Sequence, residues 1–179
     1  METAAADVLV EIEAAFPAVR AARFEPMANS VQGEEPLLTG RAFSDKDDWT
    51  QLDSGWLDEA PDGWATALSF LSDEAICFYI PAFIAADLRG ELERAEPAFH
   101  LAHGFDGFSR DQPIRPRAPE TWTDYGKQRW SHLTSEQARA IVRYLEWRIA
   151  KDGTDIGHGI AEALSAFWYD RAKAPQNGS

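Results

Sequence analysis

An apolar stretch interrupted by a proline, FLSDEAICFYIPAFIAADL at residues 70–88, constrains the fold of this chain more than any other segment. Ser72 followed by Asp73 and Glu74 is a helix-start signal. The hydroxyl accepts from an otherwise unpartnered backbone N–H, and the acids sit where the helix dipole favours negative charge. Ile76, Ile80, Phe83, Ile84, Leu88 and Leu92 then recur at helical spacing, which predicts a central hydrophobic helix reaching about Glu93. Pro81 offers no N–H to the Cys77 carbonyl, and its ring crowds that carbonyl, at a cost of about 3 kcal/mol in a helix interior. Two arrangements meet this constraint: one helix kinked at Pro81, or two helices with Pro81 opening the second. The apolar stripe continues in phase through Phe83 and Ile84, and Ile80 is a poor cap, so the kinked helix is the better reading.

Around this element the chain reads as helices joined by irregular segments. Residues 3–16 place Val8, Ile12, Ala15 and Phe16 on one stripe, and Pro17 marks the end of that helix. Residues 18–43 hold Pro26, Asn29, Ser30, Gly33, Pro36 and Gly40 without sustained periodicity, which predicts a long loop or arm. Ser44 ahead of Asp45, Asp47 and Asp48 predicts an N-cap and a short helix through Leu52. Trp49, Trp56 and Trp64 belong to separate short elements, because Gly55, Pro61 and Gly63 break any helix through all three. Residues 97–130, rich in Gly, Pro and aromatics, read as an irregular connection. Thr134 and Gln137 then form a capping-box pattern, opening a helix with Ala138, Ile141, Val142, Leu145 and Ile149 on its stripe. Lys151, Asp152 and Gly153 end it, and a further helix carries Ile160, Leu164, Phe167, Trp168 and Arg171, completing a C-terminal helical hairpin. No run of period-two alternation bounded by hairpin turns is present. The expected fold is all-α: a single helical domain over residues 1–171, with a flexible tail at residues 172–179.

The stretch WATALSFLSDEAICFYIPAFIAADL, with HLTSEQARAIVRYLEWRI downstream, resembles an uncharacterised bacterial family, a domain of unknown function. Its marks are an LSFLSxEAxxxYxPAF core and an LTxEQxxAIxxYLE helix. The resemblance implies a bacterial helical domain in which Pro81 is a fold element, and it transfers no catalytic residue.

Charge narrows the function classes. The 179 residues carry a formal charge of −13, which argues against a nucleic-acid partner, since a polyphosphate backbone is held by a basic footprint. Residues 45–74 alone contain nine acids and one base, whereas residues 110–129 contain five bases and three acids. Such faces can simply be solvated, or can attract each other across one fold. The acidic segment can also serve as a docking surface for a basic protein partner, with Asp45, Asp47, Asp48, Trp49, Asp53, Trp56, Asp58 and Glu59 as its candidate residues. Asp73, Glu74, Asp87 and Arg89 bracket the longest apolar run, so no membrane span is expected. The acidic N-terminal stretch METAAADVLVEIEAAF lacks the features of a secretory signal, which predicts a cytoplasmic protein. The single cysteine, Cys77, permits no intrachain disulfide, and its apolar setting disfavours a thiolate nucleophile.

No assembled catalytic constellation is legible. The chain has no G-x-S-x-G elbow, P-loop or dinucleotide fingerprint, and no cofactor is implied. His100 and His103 form an H-x-x-H pair, with His132, His158 and acids such as Asp106 as further ligand types. The spacing differs from the H-E-x-x-H of zinc hydrolases, and hydrogen-bonded or surface histidines account for it as well. The first reading is therefore a non-enzymatic acidic interaction module, such as an immunity- or antitoxin-like neutraliser of a basic partner. The alternatives are a metal-dependent enzyme using His100 and His103, and a helical domain binding a small molecule beneath the Pro81 kink.

Overall fold

A computed structural model describes residues 2–59, 66–116, 119–152 and 159–174. The helices are α1 (Glu2–Ala15), α2 (Glu34–Phe43), α3 (Ser54–Glu59), α4 (Asp73–Arg89), α5 (Pro97–Ala102), α6 (Trp122–Trp130) and α7 (Ser135–Asp152). They are followed by α8 (Ile160–Ala163), a π-helical turn (Leu164–Trp168) and α9 (Tyr169–Lys173). Among the described residues two 3-10 turns, Trp49–Gln51 and Ala67–Ser69, complete the set. Among the described residues strand-like pairing is limited to isolated bridges, so the fold is all-α. The chain divides into two compact units, residues 16–97 and residues 1–15 with 98–179.

The unit of residues 16–97 is built on α4. Ser72 caps it, its hydroxyl accepting from the Ala75 amide at 3.4 Å, and Gly90 ends it in the left-handed conformation at φ 72°. That glycine stops the helix at Arg89, short of the Glu93 end expected from the apolar stripe. The helix runs unbroken through Pro81, and every residue from Tyr79 to Leu88 is buried. A helix buried on all sides gains enough apolar burial to offset a proline in its interior, which is why one helix forms rather than two.

Two further expectations are corrected here. The supposed arm at residues 18–43 ends in a helix, α2, whose buried face is Pro36, Thr39 and Phe43. Pro36 lies in the first turn, where a missing N–H costs nothing, and the buried residues recur at helical spacing. Ser44 consequently ends α2 instead of starting a new helix, and Asp48 caps the 3-10 turn by accepting from the Thr50 amide at 2.9 Å. The segment ahead of α2 is tied down by two antiparallel bridges, Val19 with Asp48 and Ala28 with Leu71.

Arg20 locks this corner. Its side chain is 3% exposed, donates to the Ser44 carbonyl at 2.7 Å and to Asp47 Oδ1 at 2.6 Å, and approaches the Tyr79 hydroxyl. Tyr79 donates to the Lys46 carbonyl at 2.5 Å, and burial lifts its pKa to about 12. A cation and a phenol thus serve the Ser44 and Lys46 carbonyls just beyond the C-terminus of α2, where backbone acceptors lack helical partners.

In the other unit α1 and α7 pack together, and α7 forms the expected C-terminal hairpin with α9 and the π-helical turn. The capping box at the start of α7 is formed: the Gln137 amide donates to Thr134 Oγ1 at 3.1 Å, and the Thr134 amide to Gln137 Oε1 at 2.9 Å. Trp130 and Trp168 are fully buried with ring centroids 5.7 Å apart, and the Trp168 indole donates to the Leu101 carbonyl at 2.8 Å. The irregular connection expected at residues 97–130 resolves into α5, a loop described over residues 103–116 and 119–121, and α6. Gly153, which was expected to end α7, lies outside the described residues, as do residues 175–179 of the expected tail. Among the described residues no helix is long and apolar enough to cross a membrane.

Candidate functional site

The expected acidic docking residues lie in the unit of residues 16–97, and most of them work within the fold. Trp49 is 3% exposed and its indole donates to the Pro17 carbonyl at 2.9 Å, so it is a core residue and not part of a partner-facing patch. Trp56 is half-buried against Phe43, with ring centroids 4.9 Å apart and the Lys46 ammonium over its ring. Asp47 pairs with Arg20, Asp48 caps the 3-10 turn, and Asp53 accepts from the Trp56 amide at 3.0 Å at the start of α3. Asp58 accepts from the amides of Glu93, Arg94 and Ala95 at 2.7–3.0 Å, tying down the segment after α4. Asp45 and Glu59 are exposed, Asp45 beside Lys46. Asp62 and Trp64 lie outside the described residues.

A cleft of about 440 Å³ occurs in the other unit, lined by Phe99, His103, Asp106, Phe108, Ser109, Gln112 and Trp122. Its construction starts at α5, which Pro97 opens where proline is tolerated. Gly104 then turns the chain at φ 93°, so close to α6 that a β-carbon there lies 2.6 Å from the Trp122 carbonyl oxygen. Only glycine fits this turn. The loop it begins is folded around Asp106, which is 6% exposed. Asp106 Oδ1 accepts from the amides of Phe108 and Ser109 at 2.8 and 2.9 Å, and Oδ2 accepts from the Ser109 hydroxyl. Ser109 Oγ in turn accepts from the Gly104 amide at 2.7 Å. The loop returns through a bridge between Pro113 and Thr121, and the Trp122 amide donates to the Gln112 carbonyl at 2.9 Å. The far side of the loop is anchored by Phe105, stacked on Phe167 of the π-helical turn at 4.2 Å. Gly159 holds the approach of α8: at φ 60° a β-carbon there would overlap the Asp106 side chain.

The electrostatics of the cleft follow from this packing. Burial pushes the Asp106 carboxyl up, but the Ser109 hydroxyl, the Ser109 and Phe108 amides and the nearby His103 together outweigh it, and its pKa lies below the ordinary 3.8. It is an anion at neutral pH. His103 is held below 6.5 by burial, with Arg129 adding to the effect and Asp106 opposing it. His100 reaches the surface in part, yet burial of its ring, followed by the charges of Arg129 and His103, lowers its pKa to about 3. Both imidazoles are neutral at pH 7, leaving Asp106 as the ionised group of the lining.

That arrangement makes stability depend on pH. The folded pKa of His100 lies below the unfolded value of 6.5, so as pH falls the unfolded chain takes up this proton first. The stability is present above about pH 6.5 and is lost as pH falls toward about 3, with a slope of up to about 1.4 kcal/mol per pH unit from His100 alone. Urea midpoints should fall between pH 7.5 and 5.5, and His100→Gln should flatten the decline. A profile unchanged by that substitution contradicts the assignment.

Sequence reasoning singled out His103 and Asp106, and both line the cleft. His100 sits beside them in α5, its ring 5.4 Å from that of Phe99. Among the described residues no group of three His, Cys, Asp or Glu side chains is placed to hold a metal ion, so the H-x-x-H pair does not extend to a ligand set. His132 is exposed and His158 lies outside the described residues. Pro81 lies in α4, outside the unit that contains the cleft. Phe99, Phe108, Ser109, Gln112 and Trp122 were not picked out from the sequence. Gly104, the turn that brings Trp122 onto the loop, was the available signal.

The chain belongs to a family of unknown function (DUF6714), whose model matches residues 5–172. No curated protein and no solved structure matches it.

Proposed function

We propose that this member of the family binds a small organic molecule in the cleft between α5, the Asp106 loop and the start of α6. The observation that carries the reading is a buried, ionised carboxylate lining an aromatic cleft whose phenylalanines stay in solvent. Phe108 is 86% exposed and Phe99 42%. A large apolar ring left in water beside a concave site gains burial only when something occupies the site. The volume of about 440 Å³ falls in the range that holds small ligands, and a few converging polar groups among aromatic rings are what such sites use for orientation. We take the chain to be bacterial, as its LSFLSxEAxxxYxPAF motif suggests, and cytoplasmic, in keeping with one buried cysteine.

The test is a melting-temperature screen of a fragment set against the wild-type chain and Phe108→Ser. Because Phe108 makes little burial, its replacement should leave the unliganded stability within about 0.5 kcal/mol. Ligands that raise the wild-type melting temperature should bind the variant at least tenfold more weakly. Hits that stabilise both proteins equally, or no hits at all, contradict the reading.

The exposed side chains of Asp45, Asp47, Asp53 and Glu59 favour a second reading, an acidic surface that meets a basic protein. Capture from native lysate at low and high salt separates the two: a stoichiometric basic partner released by salt supports this surface, and no capture at either salt removes it.

A further inference from the structure

The shape and charge of the cleft narrow the class of its occupant. Its wall is a chain of rings: Phe99 lies 5.5 Å from His103, and His103 meets Trp122 edge-on at 4.7 Å. Aromatic faces carry negative quadrupole density, so such a wall attracts a cation set against it and offers an anion nothing. The carboxylate of Asp106 adds a full negative charge. Its three protein hydrogen bonds use three of the roughly four lone-pair positions that a carboxylate offers, so Oδ2 retains accepting capacity. A strongly hydrated primary ammonium needs several acceptors to leave water, and the Phe99, Phe108 and Trp122 side chains offer it none. A methylated ammonium has few N–H groups to satisfy and presents apolar, positively polarised methyl groups to rings.

We infer that the occupant is a small organic cation of the tertiary or quaternary ammonium class, seated against Phe99, Phe108 and Trp122 with its charge facing Asp106. The inference rests on the cleft being a ligand site. Arg129 is a cation close enough to hold down the pKa values of His100 and His103. The guanidinium hydrogen-bonds the Tyr125 hydroxyl and lies 4.6 Å over the Tyr125 ring, a position that stabilises its charge within α6. His103 lies within electrostatic reach of Asp106, Arg129 and His100, and as a neutral ring it adds to the wall without adding charge.

The test uses choline and its neutral carbon isostere 3,3-dimethyl-1-butanol, titrated into the full ¹⁵N-labelled chain. The indole N–H resonance of Trp122, assigned with Trp122→Phe, is the readout. Choline should shift it saturably, the alcohol should bind at least tenfold more weakly, and Asp106→Asn should remove that preference. Should Asp106→Asn loosen the loop, Phe108→Ser serves instead, lowering choline affinity at least tenfold at a position that carries little packing. Equal affinity for choline and the alcohol overturns the ammonium class and leaves the cleft a ligand site. The ammonium class falls in the same way if choline does nothing while a neutral fragment shifts Trp122. If no compound shifts Trp122, the cleft reading falls with it.

Discussion

Replacing Gly104 by alanine should destabilise the protein by about 2–5 kcal/mol and abolish ligand binding in the cleft. The backbone there is at φ 93°, a conformation that L side chains rarely adopt, at a cost of about 1–2 kcal/mol. The added methyl also meets the Trp122 carbonyl oxygen at 2.6 Å, and a backbone atom at the start of a capped helix cannot swing away as a side-chain tip can. Relieving such overpacking by backbone shifts typically costs about 1–3 kcal/mol. The movement that relieves it separates α6 from the loop, pulling Trp122 from Asp106 and breaking the bond from Thr123 Oγ1 to the Gly104 carbonyl, 2.8 Å in the native chain. Denaturation midpoints and ligand titration on the same variant check both parts. A variant as stable as the parent contradicts the tight approach that builds the site.

Trp168→Ala should cost about 3–5 kcal/mol, a large share of the roughly 5–15 kcal/mol that holds a domain together. Trp168 is fully buried against Trp130 and Phe167, so truncation leaves a cavity among large rings that cannot collapse to fill it. It also strips the Leu101 carbonyl of the indole donor at 2.8 Å, in the turn of α5 just ahead of His103. Trp168→Phe separates the contributions, since it keeps most of the volume and loses the hydrogen bond, and it should cost about 1–3 kcal/mol. Chemical denaturation measures both. A loss below about 1 kcal/mol for the alanine variant contradicts the packing described.

Helices whose ends are written in local chemistry were legible from the sequence. Ser72 and Thr134 are caps because their hydroxyls reach backbone N–H groups one turn away, and both occupy the expected positions. The burial of α4 was equally plain, and its continuity through Pro81 followed from an apolar stripe that stays in phase. The helix α2 was missed because Pro36 and Gly40 look like breakers when counted. Proline in a first turn breaks nothing, and the buried face is carried by Pro36, Thr39 and Phe43. Ser44 misled for a related reason, since a serine after a helix resembles a serine before one until its backbone conformation is known. The acids of residues 45–59 were legible as charge but not as structure. That Asp58 holds three amides more than thirty residues away is a tertiary fact that no spacing rule encodes.

The cleft was half legible. His103 and Asp106 stood out as reactive residue types close together, and they do converge. Trp122 and Gln112 join them through the bridge of Pro113 with Thr121 and the close approach at Gly104, neither of which has a period to detect. Nor does composition reveal that Phe108 points into solvent while Phe105, three residues earlier, stacks in the core on Phe167.

The most direct test of the cleft as the functional site is a ¹⁵N–¹H chemical-shift map of the chain with whichever fragment raises its melting temperature most. If the cleft is the site, the saturable shifts cluster on Phe99, His103, Ser109, Gln112 and the Trp122 indole. Shifts confined to residues 45–59, with the Trp122 indole unmoved, would contradict it.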